Sequence, residues 1–254
     1  MTRPKLAICY GLLMFCGVAC TEDIEPVKQI NPALELVELQ LINFSSSIEL
    51  PDGLIHSNDI NAQQAVAHIS SLESLEDYFL SMIPPPSASK SAEAFAVTHQ
   101  GDDASHESVA YLVYKWWEED TRIIYQISMD DTHYYFDLYY QFDQEDSHIH
   151  LLHAYQSQTE TRGELHILLG EQEFYNEVVY SYQWQEAANG DLTFDYQAVD
   201  FFHMSSIIHP DQSGVIEYFI DQQKVYLMEW DPLGNGNWIY YFNGEIQSQG
   251  NWRI

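Results

Sequence analysis

From Ser108 to the C-terminus the chain alternates between two kinds of side chain almost without a break. Tyr134, Phe136, Leu138, Tyr140 and Phe142 alternate with Tyr135, Asp137, Tyr139 and Gln141. Val178, Tyr180, Tyr182 and Trp184 alternate with Val179, Ser181, Gln183 and Gln185, and Leu192, Phe194 and Tyr196 with Thr193, Asp195 and Gln197. Successive side chains of a strand point to opposite faces, so this pattern in β-branched and aromatic residues requires half-buried strands. Turn-forming stretches separate the runs: "NGD" at 189, "DQSG" at 211, "DPLGNGN" at 231 and "NG" at 243. Such turns supply the positive φ angles of tight antiparallel hairpins. The reading is a mainly β fold, a long antiparallel meander of about ten strands over residues 108–254. Open twisted sheets of that size tend to curl or split, so a strongly curved sheet or a barrel is expected.

Upstream the period changes. Ala65, Ile69, Leu72, Leu75, Phe79 and Met82 recur at steps of three and four, one stripe of an amphipathic helix over residues 61–83. Asp59 or Asn58 can cap its start, and Pro84-Pro85-Pro86 forces a stop. Ser70 and Glu73 form a capping-box pair that would divide the stretch into two shorter helices. From Pro84 to residue 107 the sequence reads as a long exposed loop. Residues 33–107 are therefore a helical segment and loop, expected to form one globular domain with the meander and to cover part of one sheet face or a mouth.

The hairpins look repeated. "GELHIL" at 163, "GDLTFDY" at 190, "GVIEYFI" at 214, "GNWIYYF" at 236 and "GNWRI" at 250 share a glycine ahead of an apolar strand start, and the first four are 27, 24 and 22 residues apart. The spacing is irregular, so the repeat reads as degenerate. The closing stretch "GNGNWIYYFNGEIQSQGNW" is similar to MORN-type glycine–aromatic hairpins.

The N-terminus carries an address. Arg3 and Lys5 precede an apolar run from Leu6 to Ala19, too short for the roughly 20 residues of a membrane-spanning helix and suited to a secretory signal. Gly17-Val18-Ala19-Cys20 resembles a bacterial lipoprotein signal cleaved before a lipidated cysteine, although Gly17 departs from the usual Leu, Val or Ile. Residues 1–19 are then a signal peptide and 20–32 an acidic tether after lipidated Cys20. The only cysteines are Cys9, Cys16 and Cys20, so the mature chain holds one and forms no internal disulfide. The acidic "TEDIE" that follows resembles the surface-export signal of Bacteroidota lipoproteins. Leader, proline-terminated helix and aromatic meander together resemble a group of uncharacterised Bacteroidota lipoproteins. The resemblance implies an outer-membrane lipoprotein, exposed at the cell surface if the export signal operates, and supplies no catalytic residues.

Nine basic and 39 acidic side chains give a formal charge of −30 at pH 7. Such a surface repels phosphate backbones and anionic headgroups, which excludes nucleic acid as a partner and leaves acyl chains on Cys20 as the membrane anchor. Acidic clusters such as "MDDTH" and "DQEDSH" lack the loop spacing of an EF-hand.

No catalytic residue emerges. There is no Gly-x-Ser-x-Gly elbow, and "GNGNW" leads into a strand, not the helix of a phosphate loop. "SHIHLLH" places His148 and His150 on one strand face and His153 on the other, while a turn near 159 and 160 would set His153 opposite His166. That makes at most a two-ligand site, so neither metal nor cofactor is expected. Partly exposed Tyr and Trp suit stacking on sugars or packing on a protein, with Trp116, Trp117, Trp230 and Trp238 the candidates. The leading expectation is a non-enzymatic binding or structural platform for a glycan, protein or hydrophobic ligand. A carrier enclosing a lipid or other hydrophobic ligand comes second, and an envelope hydrolase third.

Overall fold

The computed structural model describes residues 30–45, 47–80, 83–95, 110–142, 148–168, 177–198 and 201–254. The leader, Cys20 and the tether as far as residue 29 lie outside them. A 3-10 turn (Leu34–Leu36) leads to three helices, α1 (Gln40–Ser45), α2 (Asp52–Ile55) and α3 (Ile60–Leu80). The strands follow: β1 (Ser89–Ser91), β2 (Ala110–Glu118), β3 (Thr121–Met129), β4 (His133–Phe142), β5 (Ile149–Ser157), β6 (Arg162–Leu168), β7 (Val178–Glu186), β8 (Leu192–Ala198), β9 (Phe202–Ile208), β10 (Gly214–Ile220), β11 (Gln223–Trp230), β12 (Gly236–Phe242) and β13 (Glu245–Trp252). Among the described residues these thirteen strands form one antiparallel sheet in sequence order, with β1 and β13 as its two edges. The sheet is open, which decides against a barrel.

One face of the sheet is the core. Leu112, Ile127, Phe136, Ala154, Leu165, Trp184, Phe194, Ile216 and Met228 are buried in one cluster with Leu34, Leu41, Phe44 and Leu54 from the N-terminal segment. Ala62, Ala65, Ile69 and Leu72 of α3 join them, so the first half of the stripe legible in the sequence docks, while the side chains of Leu75 and Phe79, and Met82, lie outside what the structure describes. Asp59 caps this helix: its Oδ1 accepts the backbone N–H of Asn61 at 2.8 Å and of Ala62 at 3.4 Å. The helix runs unbroken through Ser70 and Glu73, so the division into two does not occur. Among the described residues no helix is long and apolar enough to cross a membrane.

Strand β1 corrects the expectation of a featureless loop after the prolines. Its three residues pair with Val113–Lys115 of β2. Ser-Lys-Ser has no apolar alternation to read, because it is held by backbone bonds at an edge and not by a buried face.

The hairpin repeat is regular once its turns, not its glycines, are aligned. Identical turns begin at Ala187, His209 and Asp231, a step of 22 residues. In each, the first residue's N–H bonds the carbonyl four residues on and its own carbonyl accepts the N–H three residues on, at 2.8–2.9 Å. The fourth residue of each turn has positive φ: Gly190, Gln212 and Gly234. At the opposite end two-residue turns with positive φ fall at Asp221-Gln222 and Asn243-Gly244, again 22 apart. The glycine spacing is irregular because Gly190 serves a turn, whereas Gly214 and Gly236 serve strands.

Those strand glycines seat tryptophans. Gly163, Gly214, Gly236 and Gly250 pair across the ladder with Trp184, Trp230, Trp252 and Trp238. A Cβ on any of them would meet the partner's indole. Trp230 Nε1 donates to Gln212 O at 2.9 Å and Trp252 Nε1 to Gly234 O at 2.7 Å, so each ring also ties down the turn before its glycine. One unit earlier, Leu192 and Ile208 occupy the corresponding pair. An aromatic laid over a glycine fills the space the missing side chain leaves and fixes strand register.

This predicts a contrast between two glycine substitutions. Gly236→Ala drives a methyl into Trp252 and the Glu229 carbonyl and should cost about 2–3 kcal/mol or more. Gly244→Ala, whose Cβ meets nothing within 4 Å, should cost only the positive-φ penalty of about 1 kcal/mol. Urea denaturation of both variants measures the difference; equal losses would contradict the packing account.

Candidate functional site

The second face of the sheet is built on different chemistry. Its cross-strand row runs Gln126, Asp137, His153, His166, Ser181, Gln197, His203 and Phe219 from β3 to β10. The next row holds Tyr135, Tyr155, Glu164, Gln183, Asp195, Ser205 and Glu217. A small apolar patch of Val113, Ile124 and Tyr139, with Phe95 packed on it, covers the β2–β4 end.

Asp137 is the anomaly. Its side chain is wholly buried, in the middle of an aromatic strand. Oδ1 accepts a hydrogen bond from His150 Nε2 at 3.0 Å and another from His153 Nδ1 at 2.8 Å. Oδ2 is buried and has no hydrogen-bond partner among the described residues. Burial pushes the Asp137 carboxyl up, but the two imidazole hydrogen bonds and their charge outweigh it and hold the group at about 2.

A β-bulge makes this cluster. Leu138 lies opposite Leu152 and Tyr139 opposite His150, so Leu151 is an extra residue in β5. The extra residue reverses the alternation, and His150 and His153, three positions apart, reach the same carboxylate. This corrects the sequence expectation of opposite faces for those two histidines. His148 joins them at this end, edge-on to Tyr139 at 5.4 Å and to Phe95 at 4.9 Å. Tyr139 stacks on His150 at 4.5 Å and 20°, and Tyr135 lies nearly parallel to His153 at 6.4 Å. The rings thus hold both imidazole planes.

His153 does lie opposite His166, as the hairpin arithmetic requires. His166, however, serves a second carboxylate, with Nε2 2.6 Å from Glu164 Oε1. Glu164 also accepts from Tyr155 Oη at 2.6 Å and Gln183 Nε2 at 3.1 Å. The His166 bond, foremost, overcomes burial and keeps this carboxyl at about 2. His203–Asp195 at 3.1 Å and His209–Asp191 at 2.8 Å repeat the pairing farther along.

Next to Glu164 is an open polar groove of about 360 Å³, with His133, Tyr155, Arg162, Gln183 and Asp195 in its lining. On the core side a crevice of about 190 Å³ lies between Val37, Leu39 and Ile42 and the sheet residues Tyr125, Phe136 and Leu152. Ligand pockets for drug-sized molecules run about 300–1,000 Å³, and this crevice falls below that range.

The four tryptophans separate. Trp116 and Trp230 are core residues, 7% and 4% exposed. Trp238 is half-buried over Gly250, and Trp117 is exposed at the end of β2. The structure does not bring them together into one surface. Sequence reasoning passed over Asp137 and Glu164. The available signal was Asp137 itself, a lone carboxylate inside "YYFDLYY" that a buried strand must pair.

Comparison with protein-family models, curated proteins and solved structures finds no match to this chain.

The carboxylates set the pH response. Asp137 and Glu164 sit at about 2 in the fold against ordinary values of 3.8 and 4.5. A carboxyl depressed by folding adds stability above its unfolded value, and that contribution is lost as pH falls through the folded one. Urea midpoints should therefore drop between about pH 4.5 and 2, and Asp137→Asn should flatten part of that drop. A wild-type midpoint that is level across this window would contradict the assigned hydrogen bonds.

Proposed function

We propose that the protein is a lipid-anchored cell-envelope protein, acylated at Cys20, whose histidine- and carboxylate-bearing sheet face is a non-enzymatic binding platform. The observation that carries this reading is the division of labour between the faces. Among the described residues the core face is packed by the helices around a crevice of about 190 Å³, while the other face offers an open groove of about 360 Å³. Tyr155, Arg162, Glu164, Gln183 and Asp195 at that groove present hydrogen-bonding groups of both kinds. A polyhydroxylated ligand, a glycan in particular, suits such a mixed lining beside an aromatic ring. The overall charge of −30 disfavours polyanions.

The anchor rests on the leader and on Gly17-Val18-Ala19-Cys20, and outer-membrane location with exposure at the cell surface on the acidic residues after Cys20. The resemblance to Bacteroidota lipoproteins with MORN-like hairpins belongs to the same proposal. A carrier role draws no support from the filled core.

Two measurements test the two halves. Cells grown with a fatty-acid analogue should label the wild type and not Cys20→Ala; an unlabelled wild type would end the anchoring proposal. On a glycan array the purified wild type should bind a defined set of sugars, and Glu164→Gln with Gln183→Ala should reduce the signal at least about tenfold, equivalent to about 1.4 kcal/mol. Binding that survives both substitutions would remove the groove from the account, and no binding to any glycan would reject the glycan reading.

A further inference from the structure

We infer that Asp137, His150 and His153 form a binding site for a divalent transition-metal ion of the zinc class. Two imidazoles and one carboxylate are a ligand set that zinc and its neighbours in the first row accept, whereas calcium and magnesium require oxygen donors throughout. One ligand atom from each residue can be chosen so that all three lie within 4.8 Å of one another. Oδ1 stands 3.0 and 2.8 Å from the two imidazole nitrogens it engages. Ligand atoms about 2.0–2.2 Å from a shared ion are themselves about 3.0–3.5 Å apart, so the Oδ1–nitrogen spacings are near that range, and the two imidazole nitrogens, within 4.8 Å of each other, would close to it by ring rotation.

A second, independent observation points to a cation. Asp137 is wholly buried, yet Oδ2 has no hydrogen-bond partner among the described residues. A buried carboxylate with one oxygen left bare is costly, and a bound ion would add positive charge beside it. The surroundings also fit a metal centre. Tyr139 stacks on the His150 imidazole at 4.5 Å, and Tyr135 lies nearly parallel to that of His153 at 6.4 Å. His150 and His153 stay partly open, with 13% and 25% of their side chains exposed, which gives an ion a path in. The other histidine–carboxylate pairs lack this third ligand: His203–Asp195 and His209–Asp191 are single pairs with more exposed histidines.

Binding at the engaged nitrogens needs no net chemistry beyond proton movement. On a neutral imidazole the proton shifts through solvent to the other ring nitrogen; on a protonated one a proton is released. Acid therefore competes with the metal. Three protein ligands leave coordination positions for water or for a donor atom from a bound molecule.

The test uses the full chain with its thiols alkylated, so that Cys9, Cys16 and Cys20 do not contribute. Equilibrium dialysis should find one strongly bound zinc per chain and no calcium at the same site. His150→Gln and His153→Gln should each weaken zinc at least tenfold, while His203→Gln should leave it unchanged. Circular dichroism checks that each variant is folded. Cobalt(II) supplies a second readout: visible ligand-field bands should appear with the wild type and be lost in both His150→Gln and His153→Gln. Zinc bound with unchanged affinity in those two variants, or no stoichiometric zinc in the wild type, would overturn the assignment.

Discussion

Burial of one sheet face under the N-terminal helices is the constraint on which the rest of the structure depends. An open sheet of thirteen strands cannot close on itself, so its apolar face needs another layer. The 3-10 turn and α1–α3 provide it through Leu34, Leu41, Phe44, Leu54, Ala62, Ala65, Ile69 and Leu72. Each fully buried large apolar side chain in this layer contributes about 1.5–3 kcal/mol. The contact is specific as well as greasy. Tyr226 Oη donates to Asn61 Oδ1 at 3.1 Å, Gln156 Nε2 to Glu38 O at 2.9 Å, and Gln156 Oε1 accepts the N–H of Gln40 at 2.7 Å.

With one face committed to the core, the other is released from packing duty and carries the polar chemistry. The two faces are kept distinct by register, and register is set by the tryptophan–glycine pairs and the 22-residue turn spacing. A slip of one residue in β10 or β12 would place Trp230 or Trp252 over a residue with a Cβ and exchange the faces. The bulge at Leu151 is the one place in the β4–β5 pair where this strict alternation is broken, and it is where the buried carboxylate gains both histidines. A local departure from regular structure thus coincides with the most costly side chain on the sheet, as is common where a fold serves a site.

Much of this was legible in the sequence, and the failures have physical causes. Alternation exposed the β-meander because each strand buries one face only. The 3.6-residue stripe and Asp59 located α3, and simple hairpin counting set His153 opposite His166. The bulge was invisible because Leu151 lies within "HLLH", where one extra apolar residue changes no composition or turn signal. The regular 22-residue step was hidden by glycines in two unlike roles, a positive-φ turn at 190 and an indole seat at 214 and 236. Trp116 and Trp230 read as surface candidates because the aromatic content of a sequence does not say which ring is covered. The proposed anchor at Cys20 rests on sequence alone.

One carboxylate, Asp137, holds two histidines brought to one face by a bulge. For neutral imidazoles that geometry sets opposite tautomers, His150 with its proton at Nε2 and His153 at Nδ1, each donating to Asp137 Oδ1. Long-range ¹H–¹⁵N correlation spectra of the metal-free protein at neutral pH, assigned with His150→Gln and His153→Gln, report the tautomers directly. His150 should give an Nε2–H signature and His153 the less common Nδ1–H signature, with the latter lost in Asp137→Ala. Nε2–H tautomers at both rings, or a His153 signature indifferent to Asp137→Ala, would contradict that geometry.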